Sequence, residues 1–483
     1  MSFINKKTKI IATLGPACMD GNILNKMLKA GTDMIRINAS HNENSDDLVD
    51  LIKLVRSSAA EVEKNTGIFL DLQGPKIRLG TFKNGKTLIK KRQQFILTSR
   101  NISGNSKEAH ISYSNFYQDV KEKDIIYIDD GKIILKVEAI QEKDVICRVM
   151  RGGKLSDNKG VNLPMTEMSV NPFTKKDKED TLNAIKAGVD YIALSFVSSA
   201  KNIRDFRSFL NNNNGEQIQI IAKIERQKAV DNLNEIIESA DAIMVARGDL
   251  GVEVGIEKVP QIQKRIIYKC NKKVKPVIVA TQMLESMIKA ELATRAEVSD
   301  VANAIYDNCD AVMLSGETAV GINPVQVIET MSSICAAADE HLDELINEHN
   351  IFPKSNLNHS IATSFCKAAS QVALENDAKA IMAFTSSGNT PLIASKTKTS
   401  HLIIAPTDEM YLCCRMSIYR GVIPLLLPKK FKDILRWRDM IKMAVEECKN
   451  FKYLKTNDIA VITAGIPIGQ SNGINSIRII TVN

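Results

Sequence analysis

Lys223 and Glu225, in the run IQIIAKIE, are separated by one residue. On a β-strand that spacing turns both side chains to one face, so an ammonium and a carboxylate stand side by side. An isolated pair of this kind is also what a structural ion pair looks like. Further on, VARGDLGVEV carries Arg247, Gly248 and Asp249. At the ends of consecutive strands, Glu225 and Asp249 suit a hard divalent ion such as Mg2+, which takes one or two carboxylates and fills its shell with water and substrate oxygens. Gly248 lets a ligand approach the backbone, and the N–H groups after it face an anion if a helical turn begins there. A carboxylate or a phosphate fits such a place.

These residues need a frame. Eight short apolar runs, KIIATLG (9–15), DMIRIN (33–38), GIFLDL (67–72), DYIALSF (190–196), IQIIAKIE (218–225), AIMVARG (242–248), PVIVAT (276–281) and AVMLSG (311–316), alternate with segments of helical periodicity. Strands of a parallel sheet are buried on both faces and read as continuous apolar runs. Eight β-α units predict a TIM barrel, with a doubly wound open sheet as the second architecture. In a barrel the chemistry sits where the strands end. The polar strand ends are Arg36, Asn38, Ser40 and His41; Asp71; Ser195; Lys223 and Glu225; Arg247 and Asp249; Thr281 and Gln282; Ser315 and Glu317.

One connection is far longer than the others. Residues 75–171 contain FILTSR, DIIYIDDGKIILKVEAI and DVICRVMRGG, which alternate with turns in an all-β manner. They predict a separate β-barrel domain able to move over the barrel mouth. A Pro-containing polar stretch, 347–358, precedes a new βα series, so the expected division is 1–74 and 172–346 for the barrel, 75–171 for the insert and 347–483 for a C-terminal α/β domain.

Composition is that of a soluble globular protein, 44% hydrophobic and 25% charged over 483 residues. A net charge of +8 without any polybasic block favours small anions over nucleic acid. The nine cysteines form no C-x-x-C pair and read as buried thiols of a reducing compartment. No signal peptide or membrane span is expected, and the cytoplasm is the expected location.

Taken in order, MIRINASH, LDLQGPKIR, AKIERQKAV, MVARGDLGVE, ATQMLESMIKAELATRAEVSDVANA and MLSGETA make the chain similar to the pyruvate kinase family. The resemblance spans essentially the whole sequence. It implies a TIM barrel with a β lid and a regulatory C-terminal domain, and transfer of the phosphoryl group of phosphoenolpyruvate to ADP, giving pyruvate and ATP. It further implies that Glu225 and Asp249 hold Mg2+ (or Mn2+), that Lys223 neutralises the migrating phosphoryl group, and that Thr281 delivers a proton to the enolate, through water. Gly248 and Asp249 N–H groups are then the cradle of the substrate carboxylate. Arg36 and Lys176 match nucleotide- and phosphoryl-binding positions, Pro16, Asn38 and His41 the nucleotide side, and Ser195 and Phe196 site-lining positions. A homotetramer is implied as well.

In many members the resemblance also implies a K+ site at the positions of Asn38, Ser40, Asp71 and the Leu72 carbonyl, together with Glu where Lys76 stands and Thr where Leu72 stands. The Leu72/Lys76 pair resembles the K+-independent branch. The expectation is a tethered ammonium in place of the free ion, since a lysine beside Asp71 reverses the charge that would recruit a cation. Ala39, Asn42 and Ala293 depart from the family pattern without removing a catalytic group. In the last domain, Thr385, Ser386, Ser387, Gly388, Asn389 and Thr390 lie between a strand and a helix, where hydroxyls and N–H groups can cradle a phosphate; the segment resembles the family's effector loop, for a sugar phosphate or nucleotide. TAGIPIGQSNG resembles the facing loop. Alternative readings are another metal-dependent phosphoenolpyruvate or pyruvate barrel enzyme, an aldolase or lyase, and a catalytically silent sensor.

Overall fold

The computed structural model describes residues 6–41, 45–129, 131–164, 166, 169, 172–349, 357, 360–434, 436–466 and 473–483. Asn42, the domain boundary at 171, most of the linker 347–358 and residues 467–472 of the facing loop lie outside them.

All eight predicted runs form strands, Lys9–Thr13, Met34–Asn38, Gly67–Asp71, Tyr191–Leu194, Gln219–Ile224, Ala242–Ala246, Val277–Ala280 and Ala311–Leu314. They pair in chain order and the last closes on the first, so the open-sheet alternative is excluded. Almost every residue of these strands is buried, which is why the runs show no alternation. The helices between them start at readable signals. Thr174 and Thr294 each close a capping box with Asp177 and Glu297 at the heads of Lys175–Ala187 and Arg295–Tyr306.

The insert packs a six-stranded sheet and a two-stranded ribbon around one core that includes Phe95, Phe116, Leu135 and Val149. Single bridges at Arg78–Gly160, Leu79–Ile111 and Phe82–Gly104 tie its first segment to the rest. The C-terminal domain is a five-stranded sheet, parallel except for the edge strand Ser476–Thr481. No helix among the described residues is long and apolar enough to cross a membrane. All nine cysteines are buried and unbridged.

The barrel interior does not end at its own base. Ile11, Phe69, Tyr191, Met244 and Ile278 belong to one apolar cluster with Leu412, Met416, Tyr419 and Val422 of the C-terminal domain, and the Tyr191 hydroxyl donates to the Arg415 carbonyl at 2.8 Å. The C-terminal domain therefore plugs the N-terminal end of the barrel, leaving the opposite rim uncovered by it.

Charges are buried in this plug. Lys396 pairs with Asp310, both fully enclosed, and Lys396 also donates to Asn271. Lys398 donates to the Asn308 carbonyl; burial pulls its pKa down to about 7, with Lys396 and Arg420 adding to the effect and Asp310 opposing it. An ammonium with a depressed folded pKa destabilises the fold below that pKa, and the penalty fades as pH rises towards 10.5, where the unfolded lysine also loses its proton. Lys398→Met should thus raise the melting temperature at pH 6.5, with a gain of a few kcal/mol at most, and the gain should shrink steadily between pH 7 and 10. A gain that does not vary with pH, read by thermal melting, would refute this.

Candidate active site at the barrel rim

Strand register brings the predicted rim residues together. Leu194 pairs with Ala222, so Ser195 and Phe196 follow beside Lys223 and Glu225. The Lys223 ammonium donates to Ser195 Oγ at 2.7 Å and lies 3.2 Å from Asp71 Oδ1 and 3.3 Å from Glu225 Oε2. Ser195 Oγ in turn donates to the Leu72 carbonyl at 2.6 Å. The Phe196 N–H donates to Glu225 Oε1 at 2.6 Å, and Phe196 holds a left-handed backbone, φ +57°, to do so. Two consecutive residues at one strand end thus fix the two reactive groups of the next.

Asp71 is the shared anchor. Arg36 Nε donates to its Oδ2 at 2.8 Å while Arg36 NH1 reaches Thr13 Oγ1 at 3.2 Å. Burial alone would raise the pKa of Asp71, but Lys223 and Arg36 outweigh it and hold the carboxyl below its ordinary value. For Lys223, burial favours the neutral amine; Asp71, Glu225 and Asp249 outweigh that and hold the pKa above the usual lysine value. Glu225 is different. Burial and the nearby Asp249 outweigh Lys223 and leave its pKa raised. Its Oε2 is enclosed and makes no hydrogen bond, but lies in ion-pair contact with the Lys223 ammonium, 3.3 Å away.

That oxygen, ion-paired with Lys223 but free of hydrogen bonds, is the one with lone pairs left for a hard cation. Among the described residues no group of three or more His, Cys, Asp or Glu side chains is placed to hold a metal. A Glu225/Asp249 pair is the two-carboxylate arrangement that suits Mg2+ bound largely through water and substrate oxygens. Asp249 is exposed at the rim, in the helix Arg247–Val254.

The helix begins where the sequence placed it, yet its N–H groups are not all open to a ligand. Gly248 N–H donates to Thr281 Oγ1 at 2.9 Å. A Cβ at Gly248 would meet nothing nearer than that hydroxyl, 3.6 Å away, so the ligand side of the glycine is clear. Thr281 and Gln282 both have positive φ, +72° and +53°.

Lys176, at the head of its helix, pairs with Asp180 at 2.9 Å and approaches the Ala39 carbonyl at 3.4 Å, which places it at the same mouth. Pro16 is exposed, Asn38 accepts from the Ser40 N–H at 3.1 Å, and His41 ends the short turn Ala39–His41. Glu317, another strand-end acid, accepts the N–H groups of Leu284 and Ser315 and is fully buried, a structural role.

The bend in LDLQGPKIR is made by Gly74, at φ +66°, where a Cβ would come within 2.7 Å of the Phe196 ring. Its N–H donates to Asp177 Oδ1 at 3.1 Å. Lys76, expected beside Asp71, is exposed two residues after that bend, and Arg36 and Lys223 form ion pairs with Asp71.

Two residues had no role in the sequence reading. Arg226 donates to the Leu163 and Thr166 carbonyls, tying the end of the inserted β domain to the residue after Glu225. Arg247 grips the Thr281 carbonyl at 2.7 Å and Asp300 at 2.9 Å. Arg247 stood among the polar strand ends, whereas for Arg226 its place beside Glu225 was the only signal.

In the C-terminal domain, Thr385 Oγ1 accepts from the N–H groups of Ser387 and Gly388, so part of the expected cradle is internally bonded. Ser386, Ser387 and Asn389 are exposed, and Thr390 is half-buried in the helix Asn389–Lys396. Ser387 and Asn389 line a cavity of about 430 Å3 between this domain and the barrel base, with Lys272, Lys275 and Arg415 on its wall.

Comparison with known proteins agrees with this architecture. Family models described as pyruvate kinase, barrel domain, and pyruvate kinase, alpha/beta domain, match residues 5–328 and 363–480. A pyruvate kinase of Sporosarcina psychrophila is 39% identical over 98% of this chain and 80% of its own length. One from Clostridium acetobutylicum is 38% identical over 98% and 99% of the two chains, and one from Thermococcus litoralis is 38% identical over the full length of both. The crystal structure of a pyruvate kinase from Cryptosporidium parvum superposes with a TM-score of 0.91 at 33% identity, covering 99% of this chain and 97% of the other.

Proposed function

The chain belongs to the pyruvate kinase family of phosphotransferases, and from that premise we propose how its rim residues divide the transfer from phosphoenolpyruvate to ADP. Lys223 is the cation on the phosphoryl group in flight, because it is the one ammonium held by three side-chain oxygens at the centre of the rim. In the transfer the enol-oxygen–phosphorus bond breaks and a bond to the terminal phosphate oxygen of ADP forms. Negative charge spreads over the moving oxygens, and fixed positive groups stabilise it without covalent chemistry. Arg36 supports the nucleotide side, with Lys176, Pro16, Asn38 and His41 around it.

Glu225 and Asp249 are the residues that would hold Mg2+ (or Mn2+), which when bound supplies positive charge to the substrate oxygens. Ser195 and Phe196 keep Lys223 and Glu225 aimed at the same spot. The Gly248 and Asp249 N–H groups receive the substrate carboxylate, and Thr281 passes a proton to the enolate through water, since a neutral hydroxyl is a poor acid alone. The insert 75–171 is the lid, 1–74 with 172–346 the catalytic barrel, and 347–483 the regulatory domain of a cytoplasmic homotetramer. The loop 385–390, whose Ser386, Ser387 and Asn389 are exposed and whose Ser387 and Asn389 line a basic cavity, suits a phosphorylated effector.

We further propose turnover without K+. Asp71 already carries two cations, the Leu72 carbonyl is bonded to Ser195, and Asn38 to the Ser40 N–H. Lys76 adds positive charge at the hinge in place of a carboxylate that would recruit a cation. ADP-dependent pyruvate formation, assayed in tetramethylammonium salts with and without K+, tests both readings. Activity that rises less than tenfold on adding K+ is expected; no pyruvate at all would overturn the transfer, and a larger rise only the K+ reading. Unchanged saturation curves with fructose 1,6-bisphosphate, AMP and ribose 5-phosphate would remove the effector site.

A further inference from the structure

We propose that Arg247 is a positioning residue for the proton-transfer half of the reaction, acting through the backbone of Thr281; this rests on the reading of Thr281 as the proton-delivering group. Thr281 and Gln282 are consecutive non-glycine residues in the left-handed region, and a β-branched side chain is particularly unfavourable there. Such a conformation persists only where its surroundings over-determine it. Arg247 provides that restraint. One amino group of its guanidinium donates to the Thr281 carbonyl at 2.7 Å, to the Gln282 carbonyl at 3.3 Å and to Met283 Sδ at 2.8 Å. The other donates to Asp300 Oδ1 at 2.9 Å, on the helix Arg295–Tyr306. A planar fork with donors in fixed directions can hold two successive carbonyls and a carboxylate together, which an ammonium cannot.

The hydroxyl of Thr281 is held separately, as acceptor of the Gly248 N–H. Accepting that bond leaves its own proton free to point elsewhere. The same N–H is the one proposed for the substrate carboxylate. When a carboxylate takes it, the hydroxyl loses that tether, and only the clamp on the carbonyl keeps the residue in register. The side chains of Lys223, Asp71 and Arg36 make no hydrogen bond or ion pair to Arg247. Weakening Arg247 is therefore expected to slow protonation of the enolate far more than phosphoryl transfer.

The test compares Arg247→Gln, Arg247→Lys, Asp300→Asn and Thr281→Ala in the full-length enzyme. Proton transfer is read as exchange of the pyruvate methyl protons with D2O, by NMR, in the presence of Mg2+ and inorganic phosphate. Phosphoryl transfer is read as the single-turnover rate of ATP formation by rapid quench. Arg247→Gln should lower exchange at least tenfold, change the ATP rate less than threefold and raise the solvent isotope effect on kcat. Arg247→Lys should recover little, and the Thr281→Ala/Arg247→Gln pair should exchange no more slowly than Thr281→Ala alone. Should Arg247→Gln fail to fold, Asp300→Asn, which loosens the fork from its far side, should show the same selective loss. Normal exchange in Thr281→Ala would remove the Thr281 reading itself. Normal exchange in Arg247→Gln with slow exchange in Thr281→Ala, or equal losses in both readouts, would overturn the Arg247 proposal alone.

Discussion

Lys223→Met should lower kcat by about 10^3-fold, the loss expected when one preorganised charged donor is removed from a developing anion. The KM for phosphoenolpyruvate should change much less, since the charge matters most while the phosphoryl group is between its two oxygens. Deleting one partner of a lone buried ion pair costs about 3–5 kcal/mol. Here Asp71 keeps the Arg36 guanidinium at 2.7 Å on Oδ2 and Glu225 keeps the Phe196 N–H on Oε1, while Asp71 Oδ1 and Glu225 Oε2 lose the Lys223 ammonium. A loss of about 2–3 kcal/mol is therefore expected, at the upper end of the usual range for a point substitution. Because carboxylates hold the Lys223 pKa above its ordinary value, the wild-type ammonium stays charged throughout neutral pH, and the alkaline limb of the kcat profile should not come from this residue. Steady-state kinetics with a melting curve checks all three statements; a kcat loss below tenfold would remove Lys223 from the centre of the reaction.

The frame of this site was legible because its signals are local. Parallel strands buried on both faces read as unbroken apolar runs, and the period of two put Lys223 and Glu225 on one face. What the sequence could not display was register. Ser195 and Phe196 become positioning groups only because Leu194 aligns with Ala222, and Arg36 meets Asp71 only because Asn38 aligns with Asp71 on the next strand. The bend before Lys76 has Gly74 at a positive φ, where a Cβ would meet the Phe196 ring, a contact between segments far apart in the chain. The segment SKTKTS resembles a solvated charge run, yet Lys396 and Lys398 are buried, because a whole domain docks on the barrel base. Such burial depends on contacts far apart in the chain.

Glu225→Gln separates metal binding from folding. In the wild-type protein the Glu225 pKa is raised, by burial and by Asp249, so the folded state prefers this group protonated more than the unfolded chain does. Keeping it ionised is then a cost to the folded state, present above the raised pKa and relieved as pH falls through it. Glutamine removes that cost and its carbonyl can still accept the Phe196 N–H, but its amide NH2 then faces the Lys223 ammonium where Oε2 stood. Without metal, these effects oppose each other, so the variant at pH 7 should melt close to wild type, and its relative stability should fall as pH is lowered. Divalent ions separate the two proteins. A ligand that binds only the folded state raises its stability in proportion to the logarithm of concentration over Kd, about 2.7 kcal/mol at a hundredfold excess. Wild type should therefore gain melting temperature on titration with Mn2+ or Mg2+, and Glu225→Gln should gain almost none. Its kcat should fall by about 10^3-fold or more, as expected when a metal that polarises a phosphoryl group loses a ligand. Asp249→Asn should show a smaller loss of the same kind, since Asp249 is exposed and water can replace part of its contribution. The metal-dependent rise should weaken in wild type at acid pH, because protons and metal compete for Glu225. An unaltered Mn2+ response in Glu225→Gln would place the metal elsewhere and leave Oε2 as no more than the ion-pair partner of Lys223.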